Sequence, residues 1–318
     1  MAARNDFNNQ AIAAAVTQAH ARYGRAPGGA NASYIPYLAS VPAALAGVAV
    51  VTVDGQVFEA GDTRYAFAIE SISEVCSLAL ALEQHGSDEI EKRIGADAGG
   101  LSFHSVTTLE LHGDRPLGPL VNAGALTMIS VIEANDAQDR CAQILAMQCR
   151  LAGRRIERSD EVDQSEQSTN YHIRALASFL YADEILYCDP REACEVYARQ
   201  CSTLINCADL AAMGATLAAG GVNPLTKEHV LTAHNVPHIL AEMAMAGLYN
   251  SSGNWASTVG LPGKSGMGGG ILAVMPGVAA IAGFSPPLDF SGNSVRGQLM
   301  VAHVAKAMGW DLYRVPGA

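Results

Sequence analysis

Two β-hairpin signals stand far apart in this chain, and the stretch between them reads as helix. That separation constrains the fold more than any other feature. The first signal is Val48-Ala-Val-Val-Thr-Val53, Asp54-Gly55, Gln56-Val-Phe-Glu59, two apolar runs joined by an Asp-Gly pair suited to a tight turn. The second is Gly270-Ile-Leu-Ala-Val-Met275, Pro276-Gly277, Val278-Ala-Ala-Ile-Ala-Gly283. A lone hairpin is marginal in water. The two are therefore expected to join in one antiparallel sheet built from both ends of the chain, with the helical stretch inserted as a second layer or lobe.

Apolar spacing predicts helices over 8–23, 72–85, 129–151, 172–186, 189–200, 208–219, around 229–248 and over 293–308, several of them bounded by Gly, Asp or Pro. The expected organisation is an α+β chain. Residues 1–71 and 222–318 form a discontinuous sheet domain flanked by the terminal helices, and residues 72–221 form a helical domain. The site is expected between the two.

Hydrophobic residues make up 49% and charged residues 16%, enough apolar material for a packed core and too little charge for a disordered chain. The net charge of −11 without a basic block argues against nucleic acid, which needs clustered Lys and Arg. The longest apolar stretch, 38–53, is interrupted by Ser40, Pro42 and Gly47 and is too short for a membrane span. The start, Met1-Ala-Ala-Arg-Asn-Asp-Phe7, has no signal-peptide core, so a cytoplasmic protein is expected. Seven cysteines without a Cys-x-x-Cys pair predict free thiols. His234 and His238 have a ligand-like spacing, but Pro237 intervenes and no acidic or Cys ligand is spaced beside them. No metal and no cofactor are expected.

Two segments could carry chemistry. Ser71 and Glu74 precede an apolar helical run. Ser-x-x-Glu is the pattern of a capping box. It is equally a nucleophile at a helix N-terminus with a carboxylate one turn on, able to take its proton if burial raises the carboxylate pKa. Lys264-Ser265-Gly266-Met267-Gly-Gly-Gly270 opens the second hairpin. A lysine entering a strand beside glycines suits carboxylate binding or proton management, or is merely solvated above a glycine loop. The glycines follow the lysine, which is the wrong order for a phosphate loop. His104 reads as a loop histidine.

Taken together the chain resembles the bacterial serine-dependent glutaminases, members of the β-lactamase-like, penicillin-recognising superfamily. The resemblance runs from about Tyr34 to the C-terminal helix. Its anchors are Tyr65-Ala-Phe-Ala-Ile-Glu-Ser-Ile-Ser73, Leu120-Val-Asn-Ala-Gly-Ala125, Gln164-Ser-Glu-Gln167, Tyr197-Ala-Arg-Gln-Cys-Ser202, Gly247-Leu-Tyr249, Ser252-Gly-Asn-Trp255 and Val259-Gly-Leu-Pro-Gly-Lys-Ser-Gly266. It implies a β-lactamase/transpeptidase-like fold and hydrolysis of L-glutamine to L-glutamate and ammonia through a γ-glutamyl ester. It implies Ser71 as nucleophile and Lys264 as the lysine of the second motif. Asn122, Glu166, Tyr197 and Tyr249 are implied to hold substrate or assist at the reacting centre, and the backbone N–H groups of Ser71 and Met267 to be oxyanion donors. It also implies a small amino-acid substrate and a homodimer or homotetramer.

Four positions depart from the family pattern. Glu74 stands where the family has the lysine of Ser-x-x-Lys, Ile173 where it has a glutamine-binding asparagine, His104 where it has asparagine, and Met267 where it has valine. The first two alter the implied pocket, so reduced activity on free glutamine is expected, with Glu74 or Tyr197 as base. The other readings are a diverged acyl-enzyme catalyst acting on a modified γ-glutamyl substrate and a silent homologue that binds an amino acid.

Overall fold

The computed structural model describes residues 8–112 and 115–315. The polar start at residues 1–7, where a signal core was sought, lies outside the described residues.

The distant hairpins do join. Strand β1 (Gly47–Thr52) lies between β2 (Val57–Gly61) and β8 (Ala279–Phe284). The antiparallel sheet continues through β7 (Gly270–Met275) to β6 (Gly263–Ser265). Val50 faces Phe58 on one side and Ile281 on the other. Every residue of β1 and β8 is buried, because both faces of the sheet are covered and the two-residue alternation feeds two different cores. Val48, Val50, Ile271, Ala273 and Ile281 pack under the terminal helices Asn9–Tyr23 and Val295–Met308. Ala49, Val51, Leu272, Val274, Ala280 and Ala282 enter the larger core shared with the helical layer.

Helix Cys207–Ala218 lies across that second face. Its start is fixed by a capping box between Asn206 and Asp209. Its approach to the sheet requires Gly214: a Cβ there would stand 2.5 Å from Leu272 Cδ1 and 2.7 Å from Ala280 Cβ.

Three sequence expectations are corrected. The helix read over 129–151 is two, Asn122–Val131 and Ala137–Ala152, because the Asp136 side chain caps the second by accepting from the Asp139 N–H at 2.8 Å. The helix read around 229–248 is confined to Val236–Ala246, with Pro237 in its first turn, where a missing N–H costs nothing. The helical stretch also holds part of a small second sheet, β3 (Phe67–Ala68), β5 (Thr203–Ile205) and β4 (Glu157–Arg158). Its strands are too short to show a pattern in sequence. They tie the segment before Ser71 to the end of helix Pro190–Cys201, and the Ile69 N–H extends the link to the Thr203 carbonyl at 2.9 Å.

No helix among the described residues is long and apolar enough to cross a membrane. All seven cysteines are free thiols. The His234 and His238 rings meet edge to face at 5.6 Å, and no metal-holding group of His, Cys, Asp and Glu occurs among the described residues.

Helix Val236–Ala246 buries Glu242 against Gly118, with Oε2 unpartnered. Burial, helped by Asp97 and Glu91, pushes its carboxyl from 4.5 up to about 8. Between those values the folded protein holds a proton that the unfolded chain has lost, so this group's contribution to stability falls as pH rises through that window. Glu242→Gln should therefore raise stability at pH 8 by at least about 1 kcal/mol and change it less at pH 5. Urea unfolding at the two pH values checks this.

Candidate active site

Ser71 sits in a 3₁₀ turn, Glu70–Ile72, that leads into helix Ser73–His85. The helix has no side-chain cap at its start, so the capping-box reading of Ser71 and Glu74 fails. Glu74 turns into the interior instead and is 1% exposed. Its Oε2 lies 3.3 Å from Lys264 Nζ, and its Oε1 accepts from the Tyr197 hydroxyl at 3.1 Å. Lys264, fully buried on β6, also donates to the Ser265 carbonyl at 3.0 Å and stands 4.8 Å over the Tyr249 ring. The Tyr197 hydroxyl can also reach Asn122 Oδ1 at 3.3 Å. Ser71 lies close enough to Glu74, Tyr197 and Tyr249 to favour their ionised forms, and the Tyr249 hydroxyl donates to the Ser265 carbonyl at 3.3 Å. Six residues named from the sequence thus meet in one connected cluster: Ser71, Glu74, Asn122, Tyr197, Tyr249 and Lys264.

The electrostatics follow from burial. Desolvation raises the Glu74 pKa, while Lys264, Tyr197 and Ser71 pull it back. Desolvation lowers the Lys264 pKa and Glu74 opposes it. The Tyr197 and Tyr249 phenols are pushed well above their usual value, first by burial and then by the negative charge of Glu74. Both tyrosines are therefore hydrogen-bond donors at neutral pH. Glu74 Oε1 is the acceptor of the Tyr197 hydroxyl in this arrangement.

The glycine run closes directly on the backbone that leads into Ser71. Gly266 to Gly269 form a turn between β6 and β7, and Met267 lies in it. A Cβ at Gly268 would stand 2.1 Å from the Ala68 carbonyl oxygen, and one at Gly266 would stand 2.8 Å from that of Ile69. Glycine is required because backbone passes over backbone. The Met267 side chain packs with the small cluster of Ala32, Ile35 and Leu38, and its Cε lies against Gly292. Asn293, beside Gly292, accepts a short hydrogen bond from the Ser265 hydroxyl.

Glu166, on helix Asp160–Thr169, is buried, and its Oε1 has no hydrogen-bond partner. Burial raises its carboxyl to about 7. Ile173 faces the core with Leu176, Ala177 and Leu180 on helix Tyr171–Ala182, which packs against the helices that carry Asn122 and Tyr197. His104 stacks between Phe103 and His172, and Phe103 packs on Tyr249 at 4.6 Å. Burial and His172 lower the His104 pKa.

Glu70 was not singled out from the sequence. It precedes Ser71, is 4% exposed and has a left-handed φ of 52°, a costly conformation for a residue other than glycine. An acidic residue inside the apolar run 65–72 was the available signal. Tyr249, at φ 53°, carries a second strained backbone into the same site.

An antiparallel sheet between helical layers, with Ser71 entering a helix and the Lys264-Ser-Gly segment on a neighbouring strand, is the architecture of a β-lactamase-like hydrolase. The chain belongs to the glutaminase family, whose family model matches residues 29–313. It is 62% identical over 302 residues to a glutaminase of Bordetella avium, covering 95% of this chain and 97% of that protein. It is 61% identical over 300 residues to glutaminase 1 of Escherichia coli K12, covering 94% and 97%. The solved structure of a probable glutaminase, ybaS, superposes with a TM-score of 0.96 at 59% identity, covering 97% of this chain and all of that one. A probable glutaminase of Bacillus subtilis gives 0.83 at 31% identity, covering 88% and 94%.

Removing Glu74 leaves Lys264 buried without a counter-charge. Glu74→Ala should cost about 3–5 kcal/mol of stability, read as a lowered urea midpoint. A loss under about 1 kcal/mol would mean that the pair is not formed.

Proposed function

We infer that the protein is a glutaminase that hydrolyses L-glutamine to L-glutamate and ammonia through a γ-glutamyl ester on Ser71. The observation that carries this reading is the Ser71 side chain facing a buried Glu74 that is ion-paired to Lys264 at 3.3 Å, in a chain so close to glutaminases. Ser71 Oγ attacks the γ-carboxamide carbon while its proton passes to Glu74. The raised pKa of Glu74 brings its basicity nearer the working pH. The tetrahedral oxyanion is received by the backbone N–H groups of Ser71 and Met267. Glu74 returns the proton to the amide nitrogen, the C–N bond breaks, and ammonia leaves. Water then gives a proton to Glu74 and attacks the ester. The C–O bond to Ser71 breaks, and Ser71 recovers its proton.

Tyr197 and Tyr249 act as donors that orient Ser71 and Glu74. Asn122, held beside Tyr197, supplies an amide for the substrate's α-carboxylate. Glu166 pairs with the α-ammonium group. Ile173 supplies no hydrogen bond, so any loss at that position acts through a missing substrate contact. The division into a sheet domain of 1–71 and 222–318 and a helical domain of 72–221 belongs to the same proposal, with Ser71 at the junction. So do a cytoplasmic location, which suits seven free thiols, and a homodimer or homotetramer.

Ser71→Ala should abolish ammonia release from L-glutamine. Glu74→Gln keeps the shape of the side chain but cannot take a proton, and should lower kcat by about 10²–10⁴-fold. A carboxylate lacks the positive potential of the family's lysine, so turnover is reduced, and Glu74→Lys should raise it. An unchanged kcat in Glu74→Gln would remove Glu74 as the base. A fall in Glu74→Lys would make the glutamate the evolved solution.

The ammonium subsite works only with Glu166 ionised. Since burial holds that carboxyl near 7, KM should rise as pH falls below about 7, approaching tenfold per pH unit. Initial rates from pH 5.5 to 8.5 measure this, and a flat KM would contradict the role of Glu166.

A further inference from the structure

A cavity separate from the Ser71 cluster lies between helix Ala137–Ala152, strand β4, the end of helix Pro190–Cys201 and strand β5. It measures ≈ 200 Å³, room for roughly six water molecules or one small organic molecule. Its polar lining includes Gln148, Arg158, Arg199, Gln200 and Thr203, and Leu145 adds an apolar part. Among the described residues no carboxylate lines it, although the chain carries 31 acidic residues against 20 Lys and Arg. Two guanidinium groups at one such cavity are a local excess of positive charge that the composition does not predict.

Gln200 is 4% exposed, and neither Nε2 nor Oε1 of its side chain has a hydrogen-bond partner in the protein. A buried amide left in this way costs free energy. Gln148, also buried, shows the contrast. Its Nε2 donates to the Gln200 carbonyl at 3.1 Å, and its Oε1 accepts from the Thr203 hydroxyl at 2.7 Å. The arginines have more N–H groups than their pairs use. Arg158 directs one to Asp160 at 3.2 Å, an exposed contact. Arg199 pairs with Glu195, and its buried Nε has no hydrogen-bond partner, with Asp163 at 3.8 Å.

We propose that this cavity is a second ligand site, which binds a small organic acid carrying a hydroxyl or ammonium donor beside its carboxylate. The chemistry follows from three side chains. Arg158 and Arg199 supply charge, and a guanidinium fork matches the two oxygens of a carboxylate. The Gln200 amide needs an acceptor for Nε2 and a donor for Oε1. A fully ionised anion offers only acceptors. An acid with an adjacent O–H or N–H group offers both, and the volume holds a molecule of that size. The ligand would lie against helix Pro190–Cys201 one turn beyond Tyr197. It would also lie against Thr203, whose carbonyl accepts from the Ile69 N–H at 2.9 Å.

Titration calorimetry on the full chain tests this with L-malate, an acid of the stated class that lacks the ammonium group of glutamine. It should bind saturably with a Kd below about 1 mM. Succinate lacks only the hydroxyl and should bind at least about fivefold more weakly, as should inorganic phosphate. Gln200→Leu removes the amide at nearly constant volume and should weaken L-malate more than about tenfold. Its urea midpoint without ligand should be kept or raised, because an unpaired buried amide is gone. Arg158→Gln, at the partly exposed rim, should weaken L-malate and succinate alike by more than about threefold. No saturable binding at roughly 10 mM L-malate means that the cavity takes water only, and overturns the proposal. Succinate or phosphate bound as tightly as L-malate overturns the match to Gln200 and with it the ligand class. Native affinity in Gln200→Leu places the ligand elsewhere and overturns the proposal too. Should Gln200→Leu fail to fold, Arg158→Gln decides: weaker binding of both acids supports the site, and unchanged affinity overturns it.

Discussion

The buried ion pair between Glu74 and Lys264 holds this site together. It joins β6 to the first turn of the catalytic helix, and the other groups hang from it. Tyr197 donates to Glu74, and Tyr249 lies with its ring under Lys264. Taking two charges out of water costs several kcal/mol for each ion, and their attraction recovers that only with good geometry. An apolar pair of equal volume would stabilise such an interior at least as well. In the proposed reaction, the two charges act on the Ser71 proton: desolvation makes Glu74 more basic, and Lys264 opposes that rise.

The backbone around the pair is set by close approach. The turn at Gly266 to Gly269 passes over the Ala68 and Ile69 carbonyls at distances that exclude any Cβ, and two residues without glycine's freedom, Glu70 and Tyr249, hold left-handed conformations beside it. Each such conformation costs about 1–3 kcal/mol and persists only where the surroundings fix it. Here β3 and β5 fix one side and the β6–β7 turn fixes the other. The strain thus lies beside Ser71 and at Tyr249, whose hydroxyl donates to the Ser265 carbonyl at 3.3 Å.

Much of this could be read in the sequence where the signal is periodic or chemically rare. The two hairpins were legible because apolar runs ending at Asp54-Gly55 and Pro276-Gly277 have few other uses, and a sheet sealed on both faces needs such runs. Ser71 and Lys264 were legible because their neighbours form dense, ordered motifs. What the sequence hid depends on partners distant along the chain. The break at Asp136 competes with an apolar pattern that continues on both sides of it. The strands of the second sheet are two or three residues long, shorter than any periodicity can report. The local pattern made Ser71 and Glu74 a capping box, and only Lys264, arriving from the far end of the chain, decides otherwise.

The site holds three carboxyls, Glu70, Glu74 and Glu166, and their surroundings divide the labour among them. Glu74 has a lysine at 3.3 Å, so its charge is balanced before substrate arrives and it is available for proton transfer. Glu70 and Glu166 have no salt bridge to a described cation, and burial raises both carboxyls. On the reading proposed for Glu166, the ammonium group of glutamine supplies the missing positive charge. A substrate whose α-nitrogen is acylated would leave a Glu166 carboxylate uncompensated in a buried site, at the cost of an unpaired ion. On that reading, selection for the free amino acid follows from charge balance at one carboxylate, apart from the chemistry proposed at Ser71.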